Sequence, residues 1–334
     1  MALRAPRDIA LVEAERPVPS NDEVLVRLTN SGVCGTDLKI YDGGIPVHYP
    51  LIMGHEMIGN VIEGDQDRAG HGDRVVIDPV LFCGTCYHCR AGRTNLCPNG
   101  GLLGRDTNGG FCEYVAVPRS HVFRLPGAID NREAPIIQVA ATCVHAQRLV
   151  QILPGQSVAV LGLGVTGQIH VQLAKACGAY PIIGLTHSAW KRSLAEELGA
   201  DITLAPGAGG VQGVLNATDS RGADLVIEST GKMSAISDGI SMARLGATML
   251  LFGITTATEG ALPFYQLYFK ELSIVSSRAA KSEDYATSID LVVRGAVKLK
   301  PMVTHVVPLS DLERAIRMLE SNADRCMKIT LENS

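Results

Sequence analysis

The sequence has few aromatic side chains, no long apolar run and no dominant charge. Aromatic residues make up 4% of its 334 residues, with a single tryptophan. No uninterrupted apolar segment reaches the roughly 20 residues of a membrane-spanning helix, so no membrane partner is predicted. The net charge of −4 and the pI of about 6.1 give no electrostatic reason to expect nucleic acid as a partner. Residues 1–15 lack a signal-peptide core, so a cytoplasmic location is expected.

Glycine, in contrast, is abundant. The chain holds 35 glycines, and 46% of its residues are hydrophobic. Its length suits two domains of about 150 residues each. Glycine-rich turns combined with few aromatics favour layered α/β structure over a β-sandwich. We therefore predict an α/β fold.

Four of the nine cysteines form the sharpest local motif, C-x2-C-x2-C-x7-C. Without a secretory signal, such clustering favours metal binding over disulfides. Two-residue gaps allow thiolates to converge on one tetrahedral zinc, and four thiolates leave no open position, so the site is structural. An iron–sulfur cluster is the alternative, but the loop is polar and its spacing differs from ferredoxin patterns. The predicted structural zinc ligands are Cys83, Cys86, Cys89 and Cys97.

A second candidate metal site lies upstream. Cys34, His55 and Glu56 place a thiol, an imidazole and a carboxylate within 23 positions, a donor set that suits zinc. Gly35 and Gly54 flank the first two and would let the backbone turn tightly. The alternative is a packed cysteine and a hydrogen-bonded histidine in a core, and the other motifs of the chain argue against it.

A dinucleotide-binding loop is predicted in the middle of the chain. An apolar run at 157–161 precedes G-x-G-x-x-G, a helical pattern and a second apolar run at 181–186. In this context Gly162 makes the tight turn, Gly164 allows close approach of a pyrophosphate and Gly167 permits helix–strand packing. Val165 is a further predicted cofactor-binding residue of this loop, and the N-terminus of the helix predicted at 168–176 binds the anion. Strands at 223–228 and 246–252 continue a doubly wound parallel sheet.

The end of the second strand bears on cofactor choice. An NAD-specific loop carries an acidic residue there to bind the ribose 2′-hydroxyl. Here that position is Thr186, and hydroxyl and basic side chains follow it, which favours a 2′-phosphate and therefore NADP over NAD. The alternative is an ordinary helix N-terminus with exposed basic residues. The predicted cofactor-binding residues after Thr186 are His187, Ser188, Lys191 and Arg192.

The remaining segments suggest how the domains are arranged. Strands predicted at 23–28, 72–77 and 109–117 make the N-terminal part β-rich, and a helix at 138–151 follows. A strand at 271–277, a helix at 283–294 and a strand from 328 complete the chain. We predict a dinucleotide-binding domain at 140–277, inserted in a catalytic domain of residues 1–139 and 278–334 with its zinc lobe at 83–97.

These motifs resemble those of the medium-chain, zinc-dependent alcohol dehydrogenase superfamily over essentially the whole chain. The similarity rests on the Cys34 and His55 motifs, the four-cysteine lobe, Gly109-Gly110-Phe111 and the glycine-rich loop. The polyol, threonine and sugar-acid (galactonate-like) dehydrogenase branch is the most similar. The resemblance implies a GroES-like, β-rich catalytic domain and a Rossmann domain.

The resemblance also implies roles for single residues. Cys34 and His55 would hold a catalytic zinc, with Glu56 as a ligand or a close carboxylate. The family's next ligand is Cys, Glu or Asp, and the matching position here is Gln138, which brings no charge; we therefore expect Glu56 to bind the metal at least part of the time. Further implied roles are a proton-accepting hydroxyl at Thr36, an orienting carboxylate at Asp37 and a cofactor contact at Arg278.

The predicted function is hydride transfer between a secondary alcohol, in a polyol or sugar acid, and NAD(P), giving a ketone. Two zinc ions per chain and a homodimer or homotetramer are expected, with strands such as 247–252 able to extend a sheet across a dimer. Two alternatives remain open. One is a zinc-independent, NADPH-dependent alkene or quinone reductase, and the other is a non-catalytic, zinc-stabilised binding protein.

Overall fold

A computed structural model of the chain describes residues 1–64, 69–321 and 325–333. They form two compact units. The first unit comprises Met1–Thr142, Ala279–Arg294 and Leu299–Ser334, and the second comprises Cys143–Arg278 and Gly295–Lys298.

The N-terminal part of the chain is rich in strands. Its elements are β1 (Ala2–Ala5), β2 (Asp8–Ala10), β3 (Glu23–Val33), α1 (Gly35–Tyr41), β4 (Glu56–Glu63), β5 (Arg74–Ile77), β6 (Val80–Leu81), α2 (Tyr87–Arg90), β7 (Gly101–Leu102), β8 (Tyr114–Pro118), β9 (Val122–Arg124) and α3 (Ile136–Arg148).

Strands and helices then alternate through the second unit. These elements are β10 (Val158–Leu161), α4 (Val165–Ala176), β11 (Ile182–Leu185), α5 (Ala189–Leu198), β12 (Ile202–Leu204), α6 (Ala208–Ala217), β13 (Ala223–Glu228), α7 (Met233–Met242), β14 (Ala243–Leu251), α8 (Phe264–Phe269) and β15 (Ser273–Ser276). The chain closes with α9 (Ser282–Val293), β16 (Val303–Pro308), α10 (Leu312–Ser321) and β17 (Lys328–Glu332).

The main sheet of the first unit is built around β3. The strand order is β16-β17-β3-β4-β5-β9, and β8 also pairs with the first half of β3. Val24, Val26 and Leu28 of β3 pack in one apolar core with residues of β4 and β5. In the antiparallel register Gly32 lies opposite Glu56, and on the other side Val33 lies opposite Ile329. The register therefore brings the ends of three distant segments together.

The second unit contains a six-stranded parallel sheet in the order β12-β11-β10-β13-β14-β15. All residues of β10 and β11 are buried, because helices cover both faces and each face has its own apolar core. Gly295–Lys298 belongs to this unit, where the backbone of Lys298 exchanges hydrogen bonds with the Gln172 side chain. The predicted doubly wound α/β fold is confirmed.

Two expectations need correction. The strand predicted at 109–117 begins only at Tyr114, because the N–H groups of residues 109–111 bond to the carbonyls of residues 52–54 instead. The second concerns strand 247–252, which was expected to extend the sheet across a dimer. Residues 247–251 of that segment belong to β14, which is already paired with β13 and β15, so among the described residues β15 forms this edge of the sheet.

Among the described residues, no helix combines the length and the hydropathy required to cross a bilayer.

Candidate active site

Cys34, His55 and Glu56 converge in the first unit. One donor atom from each lies within 4.8 Å of the others, and His55 and Glu56 are buried. The β-sheet register explains the convergence, because Cys34 follows the end of β3 and His55 precedes the start of β4 directly alongside. A half-buried thiol with a buried imidazole and a buried carboxylate is a donor set that fits zinc.

A backbone strap of residues 109–111 holds the segment before His55. Its N–H groups donate to the carbonyls of residues 52–54 at 2.7–2.9 Å. Gly54 is left-handed, with φ +95°, and a Cβ there would lie 2.5 Å from the Phe111 ring. Gly35 shows no such requirement, since a Cβ there would meet nothing within 4 Å. The glycine beside His55 is therefore structurally required, and the one beside Cys34 is not.

Asp37 connects Cys34 and His55. Its Oδ2 accepts a hydrogen bond from the Cys34 backbone N–H at 2.9 Å. Its Oδ1 lies 3.4 Å from His55 Nδ1, and neither atom has another hydrogen-bond partner among the described residues. Burial alone would lower the pKa of His55, but Asp37 and Cys34 raise it well above its ordinary value. The cluster thus favours positive charge.

Lys328 is a buried cation that was not predicted from the sequence. Its Nζ lies 2.7 Å from both carboxylate oxygens of Glu56, and the two side chains are 3% and 0% exposed. Burial opposes its charge, but Glu56 raises the pKa of Lys328 above its usual value. A signal was present in the sequence, because Lys328 is the only charged residue in the otherwise uncharged run 326–331.

Two further predicted residues lie in the same unit. Thr36 is the second residue of α1, and the residue capping that helix is Cys34, so the Thr36 hydroxyl is not the helix cap. Gln138 is buried in the first turn of α3. Tyr285, which is also buried, makes no hydrogen bond through its hydroxyl among the described residues.

The four cysteines of the lobe also converge, with all four Sγ atoms within 4.8 Å of one another. The Cys83–Cys97 and Cys86–Cys97 Sγ separations are 3.5 and 3.9 Å. Tetrahedral zinc with Zn–S of about 2.3 Å places sulfurs about 3.8 Å apart. The lobe therefore has the dimensions of a closed, four-thiolate zinc site.

The glycine-rich loop of the second unit joins β10 to α4. Gly162 is left-handed, with φ +91°. A Cβ on Gly167 would lie 1.8 Å from the Gly162 carbonyl oxygen, so only glycine allows helix and loop to approach this closely. A Cβ on Gly164 would meet no atom within 4 Å, which leaves room for a ligand. Val165 is the first residue of α4.

Ser229 supports this loop from the neighbouring strand and was not predicted. It follows β13, and its hydroxyl lies within hydrogen-bond distance of the carbonyl oxygens of Leu161 and Gly162, at 2.9 and 2.8 Å. The preceding Glu228 is fully buried and accepts a hydrogen bond from Thr230 N at 2.7 Å. The sequence offered one signal for this position, the acidic Glu228 at the end of the strand predicted at 223–228.

The predicted cofactor residues separate into two groups. Thr186, His187 and Ser188 follow β11, which is the neighbour of β10, and Arg192 Nη1 donates to the Thr186 and His187 carbonyls at 2.8 and 3.0 Å. Lys191 Nζ lies 5.5 Å from the centre of the Trp190 ring. Arg278 follows β15, three strands from β10, which at about 4.8 Å per strand is roughly 14 Å.

The fold and the site define a class: a dinucleotide-binding oxidoreductase with a zinc centre. Comparison with known proteins agrees. The alcohol dehydrogenase GroES-like domain matches residues 20–127, and the zinc-binding dehydrogenase family matches residues 165–294. The chain belongs to the zinc-binding, medium-chain alcohol dehydrogenase family, as the resemblance predicted.

Relatives match along nearly the whole chain. Sorbitol dehydrogenase of Halalkalibacterium halodurans is 31% identical, covering 93% of this chain and 92% of the relative. L-Galactonate-5-dehydrogenase of Escherichia coli is 32% identical, covering 92% and 91%. A solved structure of a zinc-binding dehydrogenase from Sinorhizobium meliloti bound to NADP has a TM-score of 0.91 and 33% identity, covering 99% and 98%.

The chain is therefore an NAD(P)-dependent alcohol oxidoreductase acting on CH–OH donors. The family and its dehydrogenase relatives support this function over the alkene-reductase and binding-protein alternatives.

Proposed function

We propose that the chain oxidises a secondary hydroxyl of a polyol or sugar acid to a ketone, using zinc held by Cys34, His55 and Glu56 and NADP held by the second unit. The observation that carries this proposal is the convergence of those three donors within 4.8 Å in a buried site. The reaction moves a hydride, with its electron pair, from the carbinol carbon to the nicotinamide, and the hydroxyl proton leaves to solvent.

The residues around the metal position divide the work. Bound zinc supplies Lewis acidity, which makes an alcohol hydroxyl easier to deprotonate. Asp37 orients the His55 ring through Nδ1, which leaves Nε2 as the ligand nitrogen. Thr36 would accept the substrate proton and pass its own hydroxyl proton on towards solvent. Its freedom from helix capping supports that role.

The charge of the ligand set points to Glu56. Gln138 would bring a carbonyl oxygen without charge. Glu56 brings a negative charge, and one of its carboxylate oxygens lies within 4.8 Å of the donor atoms of Cys34 and His55. We therefore assign Glu56 as a zinc ligand for part of the time and Gln138 as a weak zinc ligand.

The chemistry at the end of β11 supports NADP. No carboxylate stands at Thr186 to repel a 2′-phosphate. Ser188 makes no capping bond with its side chain. Arg192 Nη1 donates hydrogen bonds to the carbonyl oxygens of Thr186 and His187, and these bonds hold the guanidinium beside the loop. Arg278 is proposed to reach the cofactor from the β15 side.

The four-cysteine lobe is proposed to hold a second, structural zinc. Its sulfur separations of 3.5 and 3.9 Å support this, and four thiolates leave no position for a substrate. Cys83, Cys86, Cys89 and Cys97 would thus stabilise the lobe without taking part in hydride transfer.

The substrate class is proposed from the relatives, which include a sorbitol dehydrogenase and an L-galactonate-5-dehydrogenase. A homo-oligomer is proposed from two features of the second unit. There the outer edge of β15 has no partner strand among the described residues, and α8 exposes Phe264, Tyr265, Tyr268 and Phe269. Cysteine chemistry supports a cytoplasmic location, because metal-binding thiols persist in reducing compartments.

The test is a cofactor-linked assay on the zinc-loaded protein. Polyols and aldonates are screened with NADP+ and NAD+, and a quinone or activated alkene is screened with NADPH. We expect NADP+-dependent oxidation of at least one polyol or sugar acid, abolished in Cys34→Ala. Alkene or quinone reduction that survives Cys34→Ala would overturn the proposal.

A further inference from the structure

One ammonium group connects the two segments that carry the metal-ligand candidates. Lys328 Nζ lies 2.7 Å from both oxygens of Glu56 and donates to the carbonyl oxygen of Val33 at 3.2 Å. An ammonium has three protons, and these three acceptors match them. Val33 immediately precedes Cys34, and Glu56 immediately follows His55.

The position of this clamp is set by the sheet. Val33 pairs with Ile329 on one side of β3, and Gly32 pairs with Glu56 on the other. The Glu56 carboxylate lies against the β3 backbone, since a Cβ on Gly32 would come within 2.0 Å of its Oε2. The pairing of β4 and β17 with β3 thus places the Glu56 carboxylate and the Lys328 ammonium beside that strand.

Lys328 and a metal ion bound at Cys34 and His55 would therefore compete for the carboxylate of Glu56. An oxygen of Glu56 lies within 4.8 Å of the Cys34 and His55 donors, while both of its oxygens contact Lys328. A dication at those donors attracts the carboxylate more strongly than an ammonium at equal distance, but Lys328 is already in place at 2.7 Å. The relative strengths of the Glu56–metal and Glu56–Lys328 interactions determine the fraction of time for which Glu56 binds the metal.

We propose that Lys328 is a positioning residue that competes with the metal for Glu56 and so keeps a coordination position open for the substrate. The proposal rests on the assignment of zinc to Cys34, His55 and Glu56 made above. A catalytic zinc site needs such an open position. Lys328 would act through Glu56 and would touch neither substrate nor cofactor.

Lys328→Met tests the proposal by removing the competing charge while keeping the length of the side chain. We expect zinc to leave this variant about tenfold more slowly than wild type in the presence of a chelator, the scale at which residues beside metal ligands act. The structural zinc is subtracted by measuring Cys34→Ala in parallel. After cobalt substitution, the visible absorption spectrum is expected to change in Lys328→Met, whereas Lys328→Arg should keep the wild-type spectrum.

Glu56→Gln and the Glu56→Gln/Lys328→Met double variant complete the cycle. If Lys328 acts through Glu56, these two release zinc at the same rate, and the double variant also removes the buried unpaired charge that threatens folding of Lys328→Met. Zinc release from Lys328→Met at or above the wild-type rate would overturn the proposal, as would different rates for the two Glu56→Gln variants. Failure of the proposed function would appear separately, as Cys34→Ala retaining all of its zinc.

Discussion

Gly109→Ala is predicted to loosen the segment that carries His55. A Cβ at residue 109 would lie 2.1 Å from the Gly54 carbonyl oxygen and 2.5 Å from Gly104 Cα. Both are backbone atoms, so no side-chain rotation relieves the clash. Either the strap or the turn before His55 must move.

The magnitude follows from the contacts. Overpacking a tight site costs about 1–3 kcal/mol. Moving the strap also weakens its hydrogen bonds to residues 52–54, at about 1 kcal/mol each. We therefore expect the free energy of unfolding to fall by about 3–5 kcal/mol, or a Tm decrease of roughly 6–20 °C for a unit of this size.

The assay is thermal and urea denaturation of the zinc-loaded protein, with zinc content measured on the same samples. Gly127→Ala is the matched control, because a Cβ there would meet nothing within 4 Å and its φ is not positive. Gly109→Ala should also lose the zinc that depends on Cys34. Stability within about 1 kcal/mol of the control would refute the steric argument.

Two further predictions concern the cofactor and pH. Arg192→Ala should lower kcat/KM for NADP+ by about 10- to 100-fold, the value of lost charge-assisted bonds to phosphate, and leave NAD+ nearly unchanged. Arg221→Ala is the control, because Arg221 precedes β13 and lies at the amino-terminal ends of the parallel strands, whereas Thr186 follows the carboxyl end of β11. An equal loss with both cofactors would count against a phosphate role. Burial raises the pKa of Asp78 from 3.8 to about 7, and Asp284 adds to the shift. Between about pH 4 and 7 the folded state therefore holds a proton on Asp78 that the unfolded chain releases. Because of this difference, the free energy of unfolding falls as the pH rises through that range. Asp78→Asn should therefore gain unfolding free energy relative to wild type as the pH rises from about 4 to 7, by on the order of 4 kcal/mol in total. Parallel pH profiles in urea denaturation would contradict this.

Local motifs of this chain could be predicted from sequence because their chemistry depends on short spacing. The four cysteines lie within 15 positions, and the glycine-rich loop within six, so no long-range pairing is needed to recognise them. Cys34 and His55 are further apart, and the combination of their donor chemistry with the resemblance to a family connected them.

Contacts that depend on sheet register could not be predicted in the same way. Lys328 is 272 positions from Glu56 and reaches it only because β17 and β4 flank β3. The Gly109–Phe111 motif was recognised, but its periodicity favoured a strand. Its hydrogen bonds go to a loop more than 50 residues earlier, and local pattern carries no information about that partner.

The expectation that strand 247–252 extends the sheet across a dimer was wrong for a related reason. The sequence shows that 247–252 is an apolar strand, but strand order decides whether such a strand lies inside the sheet or at its edge. β15 covers it, because the chain adds one more parallel strand after α8.

The most direct test of the catalytic zinc site is the zinc content of purified protein by mass spectrometry, for wild type, Cys34→Ala and Cys177→Ala. Cys177 is exposed and belongs to neither cluster. We predict about two zinc ions per chain in wild type and Cys177→Ala and about one in Cys34→Ala, since each cluster has the ligands of one zinc site. About one zinc per chain in all three proteins would contradict the catalytic metal site.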